Sequence, residues 1–221
     1  MSRKFYIVII TIFACVCMGI VDAVIQPGYA IKSAIKIAMF LLLPFIYSLF
    51  DKEYKITKVF KPDKKGFRLA FLMSVLIYAV ILSAYFIFRN VFDFSSLTSS
   101  LTSTTGVNKQ NFIFVALYIS FANSLLEEFF FRGFSFLTLK EVSDRKFAYI
   151  FSSLMFALYH IAMMIGWFSI GVILLSLVGL FVGGVIFNYF NEKYNNIYLS
   201  WLIHMFSNFA TNTIGFILFS V

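Results

Sequence analysis

Three charged residues lie within one apolar stretch near the middle of the chain. Residues 127–133 read EEFFFRG and so contain two carboxylates, Glu127 and Glu128, and the guanidinium of Arg132. A charged side chain at the centre of a bilayer costs about 2.5–3.5 kcal/mol on insertion scales, so such residues usually face a protein interior or a water-filled cavity. This stretch is therefore the first candidate for a functional site.

Helix geometry predicts different roles for the three charges. Glu128 and Arg132 are four residues apart with the acid first, so they share a helix face and are expected to pair. Glu127 points about 100° away from Glu128 and is left free to face a cavity. We predict that Glu127 is the working carboxylate and that the Glu128–Arg132 pair supports it.

The two histidines of the chain lie in later apolar runs. His204 and Asn208 are four residues apart and share a helix face. Measured from the predicted cytoplasmic ends of the helices, the depths are about 18 Å for Glu127, 20 Å for His160, 15 Å for Asn208 and 9 Å for His204. These depths predict one polar site near the middle of the membrane, open toward the cytoplasm.

A carboxylate, two imidazoles and an amide are suited to hydrolysis. Glu127 can act as a general base on a water held by His160, while His204 and Asn208 donate hydrogen bonds to the developing oxyanion. Equally, Glu127, His160 and His204 can supply a Zn²⁺ site with an open position for water. The H-E-x-x-H signature of soluble metalloproteases does not occur, so the sequence leaves both mechanisms open.

Composition predicts an all-α, polytopic transmembrane helical bundle. Hydrophobic residues make up 61% of the chain and charged residues only 13%, whereas soluble domains are about half apolar and about a quarter charged. We treat 1–221 as a single integral membrane domain, with N-terminal helices over 1–110 and a motif-bearing core over 111–221. Apolar runs of about 20 residues predict seven spans, at 5–25, 31–50, 68–88, 111–139, 147–165, 170–190 and 198–220.

The basic residues predict the orientation of the bundle. Of the 18 lysines and arginines, thirteen fall on one side, seven of them within 51–68, and four fall on the other, with Arg132 omitted. The positive-inside rule then places the N-terminus in the cytoplasm and the C-terminus outside. Lys32 and Lys36 are assigned to the outer side.

The net charge of +8 is therefore a signal of topology. It calls for no nucleic-acid partner, and the loop at 51–68 is suited to contact anionic lipids of the bilayer. The Ser/Thr-rich residues 95–106 are predicted to form a solvated outer loop. Gly179 and Gly183, spaced as GxxxG, are predicted to form a close-packing helix face, and the many phenylalanines are expected to face lipid.

Three ordered motifs resemble one known family. The chain has EExxxR at Glu127–Arg132, FxxxH at Phe156–His160 and HxxxN at His204–Asn208. This set resembles the CAAX-protease and bacteriocin-processing family of intramembrane proteases, the CPBP or ABI family, over roughly residues 120–210. The resemblance implies an all-helical core with endopeptidase activity. It also implies that the first Glu and first His handle water, while the second His and the Asn stabilise the oxyanion.

The resemblance leaves the mechanism and the substrate open. Family members are described both as metalloproteases and as glutamate-dependent enzymes without an essential metal, and they are often drawn with eight helices where this chain predicts seven. Eukaryotic relatives trim prenylated proteins, and bacterial relatives are linked to peptide maturation, bacteriocin immunity and surface regulation. Richness in Phe, Ile, Lys and Asn indicates an AT-rich bacterial genome. Together with the apolar spans, the resemblance then implies a bacterial plasma membrane protein acting on a peptide or protein substrate. The sequence predicts no oligomeric state.

Two functions of other classes fit the same polar residues. A noncatalytic scaffold or bacteriocin-immunity protein would keep the protease fold without hydrolysis. A proton-coupled carrier would use Glu and His as a relay, but the sequence shows no inverted repeat of the kind many carriers contain. Hydrolysis remains the leading hypothesis because it uses the whole set of polar residues.

Overall fold

The computed structural model describes residues 2–92, 94, 97–166 and 168–220, and this part of the chain is helical without strands. Within it, seven helices are long and apolar enough to cross a membrane, which confirms the all-α polytopic bundle. The protein is an integral membrane protein. The helices are Arg3–Ile25 (span 1), Tyr29–Phe50 (span 2), Phe67–Phe88 (span 3), Phe112–Val142 (span 4), Arg145–Met164 (span 5), Ile170–Tyr194 (span 6) and Ile197–Ser220 (span 7).

Local residues explain several of the span ends. Gly66 precedes span 3 with φ +81°, a left-handed conformation that suits glycine. Asp144 caps span 5 by accepting hydrogen bonds from the backbone N–H groups of Lys146 and Phe147. Asn195 ends span 6 with φ 48°, and asparagine is one of the few other residues that adopt this conformation readily.

Span 4 alternates between α-helix and the wider π-helix. The α-helical parts are Phe112–Tyr118, Ser124–Glu128 and Thr138–Val142, and the π-helical parts are Ile119–Asn123 and Phe129–Leu137. Further π-helical turns occur in spans 1 and 2. Such turns are rare and often occur at functional sites. The two in span 4 flank the short α-helical segment that carries both glutamates.

The phenylalanines of the central motif face the protein interior. All residues from Glu127 to Phe136 are buried. Phe130 stacks on Phe40 of span 2 with ring centroids 4.3 Å apart, and Phe131 meets Phe156 of span 5 at 5.4 Å. The expectation that phenylalanines face lipid is wrong for this segment, because it lies at the centre of the bundle rather than at its rim.

Span 6 makes its closest helix contact one residue beyond the predicted GxxxG pair. A Cβ atom added to Gly179 or Gly183 would meet no described atom within 4 Å. At Gly184, the same atom would lie 3.0 Å from the Cα of Ser153 in span 5. The close-packing prediction is therefore wrong for Gly179 and Gly183, and Gly184 is the residue that lets the two backbones approach.

The Ser/Thr-rich stretch contains a helix where a loop was predicted. Leu97–Thr105 is α-helical, while residues 95 and 96 lie outside the described residues. The hydroxyls of Thr102 and Thr105 donate to the carbonyls four residues earlier, at 2.9 and 2.7 Å. These bonds use the hydroxyl donors without breaking the helix, which a count of polar residues does not anticipate.

Candidate active site

Residues from three spans meet at Glu127. This carboxylate lies midway along span 4 and is only 2% exposed. The Nε2 atoms of His160 in span 5 and His204 in span 7 each lie 3.7 Å from Glu127 Oε2. The structure thus brings together three of the four residues that the sequence singled out as candidate catalytic groups.

Each of the two imidazoles makes a hydrogen bond at Nδ1, on the side of the ring away from Glu127. His160 Nδ1 lies 2.7 Å from the carbonyl oxygen of Phe156. His204 Nδ1 lies 3.0 Å from Glu128 Oε1. Because a carbonyl and a carboxylate only accept, each Nδ1 carries the hydrogen and donates it. Each ring therefore turns its Nε2 atom toward Glu127.

The remaining oxygen of Glu127 has no hydrogen donor among the described residues. Its Oε2 atom is buried without a hydrogen-bond partner, because the Nε2 atoms of His160 and His204 lie 3.7 Å away, beyond hydrogen-bond distance. Buried acceptors are normally satisfied, often by an internal water. A water molecule has two hydrogens to donate, so the arrangement suits a water held between the carboxylate and an imidazole.

The predicted Glu128–Arg132 ion pair is present, and both of its residues also contact other side chains. Arg132 Nη1 lies 3.4 Å from Glu128 Oε1, and both side chains are fully buried. The same Oε1 atom accepts the hydrogen bond from His204. The guanidinium also lies over two aromatic rings, 4.0 Å from the centroid of Phe156 and 4.8 Å from that of Phe187. The pair therefore links the acid of span 4 to the imidazole of span 7.

Sequence reasoning missed Lys36, which binds the candidate catalytic carboxylate. Lys36 is 5% exposed within span 2, and its ammonium pairs with Glu127 Oε1. It also donates to Asn123 Oδ1 at 2.5 Å, and Asn123 Nδ2 donates to Glu127 Oε1 at 3.0 Å. Glu127 thus stays outside the Glu128–Arg132 pair, as predicted, but forms an ion pair with Lys36, which lies buried within span 2.

Lys36 and Asn123, which the sequence analysis did not single out, each have a recognisable signal in the sequence. Lys36 falls inside the apolar run 31–50, where a charge needs the same explanation as the glutamates do. Asn123 precedes Glu127 by four residues and so shares its helix face. Together they occupy Oε1 and leave only Oε2 facing the imidazoles. Two buried cations, Lys36 and Arg132, then balance the two buried glutamates.

Asn208 lies one helical turn beyond His204 but makes a different contact. Its Nδ2 atom donates to the backbone carbonyl of Ile119 at 3.1 Å, in the first π-helical part of span 4. An amide group has two hydrogens, and this bond uses one of them. The structure therefore places Asn208 on the predicted face of span 7, anchored to the backbone rather than to Glu127.

The motif-bearing part of the chain matches a known family of proteases. Residues 109–210 match the family model described as type II CAAX prenyl endopeptidase Rce1-like. The matched model is one of the CPBP group of CAAX proteases, so the resemblance drawn from the three motifs is confirmed over these residues. The match includes all three motifs, from Glu127 to Asn208, and leaves Lys36 outside. Searches of curated proteins and of solved structures found no match.

The exposed edge of the candidate site lies toward the Met164 end of span 5. The His160 side chain is 16% exposed and sits four residues from Met164, at the opposite end of span 5 from Arg145. Toward the Arg145 end, the site is covered by the buried phenylalanines that follow Glu128. The opening toward the cytoplasm stays a prediction.

The zinc site that the sequence left open as an alternative finds no support among the described residues. Among the described residues, no three His, Cys, Asp or Glu side chains are arranged to hold a metal ion. The ammonium of Lys36 also lies on the carboxylate of Glu127, where it would repel a divalent cation. We therefore derive no step through a metal ion.

Proposed function

We propose that the protein is an intramembrane endopeptidase that hydrolyses a peptide bond with water activated by Glu127. One observation carries the proposal: the Nε2 atoms of His160 and His204 each lie 3.7 Å from the unpartnered Oε2 atom of Glu127. Membership of residues 109–210 in a family of endopeptidases supports it.

Glu127 acts as the general base in the first step. A water between Glu127 Oε2 and His160 Nε2 gives one proton to the carboxylate and directs its other hydrogen to the imidazole. The water oxygen forms a bond to the carbonyl carbon of the peptide, and the carbonyl electron pair moves to its oxygen. Lys36 and Asn123 bind Oε1 and so keep Oε2 turned toward the water.

His204 and Asn208 stabilise the oxyanion that results. His204 enters the reaction protonated, with Glu128 stabilising its charge, and keeps both ring protons throughout: Nδ1–H donates to Glu128 and Nε2–H donates to the oxyanion. Asn208 supplies the second hydrogen of its amide. The intermediate collapses as the C–N bond breaks and protonated Glu127 returns its proton to the leaving amine.

The substrate class follows from the site and the family. We take the substrate to be a peptide or protein segment that enters the bundle from the bilayer or its surface. The family description names CAAX prenyl peptides, so a prenylated CAAX peptide and its unprenylated counterpart are the first pair to test. We also propose that the N-terminus lies in the cytoplasm of a bacterial cell.

The test is cleavage of fluorescence-quenched peptides by the purified protein in lipid vesicles. Glu127→Gln and His160→Ala should each lower kcat by about 10²-fold or more. Glu141→Gln is the matched control, because Glu141 lies in the same span with a side chain that is 48% exposed. Wild-type rates in both site variants would overturn the mechanism. A cellular function that survives Glu127→Gln would instead favour the noncatalytic scaffold.

A further inference from the structure

An apolar groove lies on the outer surface of the bundle, between spans 3, 5 and 6. This groove has a volume of about 630 Å³ and is lined by apolar side chains that include Leu69, Met73, Ile150, Val185 and Ile186. Its size is within the range of about 300–1,000 Å³ typical of ligand sites. Span 3 packs mainly against span 7, which leaves the space beside spans 5 and 6 open.

One end of the groove carries positive charge. Arg145 and Lys146 line it, and Lys193 donates to the hydroxyl of Tyr189, another lining residue, at 2.9 Å. This end contains the first residues of span 5 and the last residues of span 6, so it lies at a membrane surface. The apolar part of the groove extends from there toward the bilayer interior.

The basic residues at this end of the groove outnumber the acidic residues beside them. Glu192 accepts two hydrogen bonds from Arg145, at 2.8 and 2.6 Å, and one from the Tyr149 hydroxyl at 2.7 Å. Lys146 and Lys193 are exposed, and in the described ranges neither ammonium pairs with a carboxylate. Two lysines are thus available to an anion at the mouth of an apolar groove.

We infer that this groove binds an anionic phospholipid. One acyl chain lies between spans 3 and 6, and the phosphate headgroup lies on Lys146 and Lys193. Basic pockets between membrane helices suit anionic headgroups, whereas a zwitterionic headgroup brings its own cation toward these lysines. The inference is independent of the proposed hydrolysis, because the groove shares no residue with the candidate active site.

Native mass spectrometry of the detergent-purified protein tests the headgroup contact. With equal amounts of phosphatidylglycerol and phosphatidylcholine, the wild type should retain phosphatidylglycerol about tenfold better. The variant Lys146→Gln with Lys193→Gln should lose this preference. Lys64→Gln with Lys65→Gln removes the same charge from the exposed loop at 51–68 and should keep the preference. Equal retention of both lipids by the wild type, or equal losses in the two variants, would overturn the inference.

A second pair of variants tests the acyl chain. Ile186→Trp fills the groove and should reduce phosphatidylglycerol retention, with the lysines intact. Ile46→Trp makes the same substitution in span 2, away from the groove, at a side chain that is 48% exposed, and should retain the lipid. If both tryptophan variants bind phosphatidylglycerol like the wild type, the acyl chain does not occupy the groove. The lysine variants decide the question if Ile186→Trp fails to fold.

Discussion

Lys36 of span 2 and Glu127 of span 4 form a buried ion pair, with side chains only 6% and 2% exposed. The pair joins the N-terminal helices to the motif-bearing region, and it uses one of the two oxygens of the candidate catalytic carboxylate. The geometry of the candidate site therefore involves a residue outside the part of the chain that matches the protease family.

Removing the ammonium should impair catalysis more than substrate binding. We expect Lys36→Met to lower kcat at least tenfold with little change in KM, because Glu127 loses the contact that orients it. Lys36→Arg should restore part of the rate by supplying a cation at the same place. Lys61→Met, at an exposed loop position, is the control. Unchanged peptide turnover in Lys36→Met would exclude a positioning role while leaving the hydrolysis itself untouched.

The same variant should also be less stable. Breaking a buried ion pair by removing one partner typically costs about 3–5 kcal/mol, so Lys36→Met should unfold at a lower temperature. Adding Glu127→Gln removes the orphaned charge and should recover much of the loss. Thermal unfolding in detergent measures both effects, and additive losses in the double variant would contradict a direct coupling.

The contact between Glu128 and His204 makes a separate prediction. Glu128→Gln keeps the size of the side chain but removes the charge that stabilises protonated His204, so kcat should fall by about 10²-fold or more. Glu53→Gln, at a side chain that is 78% exposed, changes the same chemical group away from the site. If kcat is the same for Glu128→Gln and the wild type, His204 does not act through Glu128.

Metal removal should leave turnover unchanged. Because the Lys36 ammonium lies on Glu127, we expect less than stoichiometric zinc in the purified protein and full activity after chelation. Elemental analysis combined with the peptide assay checks both points. A chelator-induced loss of cleavage that added Zn²⁺ restores would show that the ligand set assembles in the active state, and the proposed water activation would then be wrong.

Two glycines of span 6 provide a matched test of packing. Gly184→Ala places a methyl group 3.0 Å from the backbone of Ser153 and should destabilise the protein by about 1–3 kcal/mol. Gly179→Ala meets no described atom within 4 Å and should be neutral or slightly stabilising, since alanine favours the helix. Comparable melting temperatures for the two variants would contradict the close contact between spans 5 and 6.

The sequence predicted the spans well because their signal is simple. A run of apolar residues long enough to cross the bilayer is visible without any knowledge of packing, and the structure has all seven runs with ends shifted by a few residues. Glu127, His160 and His204 stood out for the same reason, as polar groups in apolar surroundings. Whether these side chains meet depends on how the helices pack. The estimated depths were compatible with such a meeting but did not require it.

What the sequence did not reveal depends on contacts between distant spans. Lys36 was counted as a loop charge because it lies near the start of its apolar run, and nothing within span 2 indicates a partner 91 residues later. The π-helical turns of span 4 also escaped prediction, since an almost continuous apolar stretch gives no periodicity to read. For Phe130 and Phe131, only packing distinguishes a buried ring from one in lipid.

The ion pair between spans 2 and 4 also bears on how the protein is made. The ribosome delivers Lys36 well before Glu127, so span 2 enters the bilayer with its cation unpaired. Lys36 lies about 10 Å from the Tyr29 end of its helix, close enough for its long side chain to reach the headgroups while it waits. We expect the ammonium to move inward when span 4 is inserted, so that the Lys36–Glu127 ion pair forms late in biogenesis.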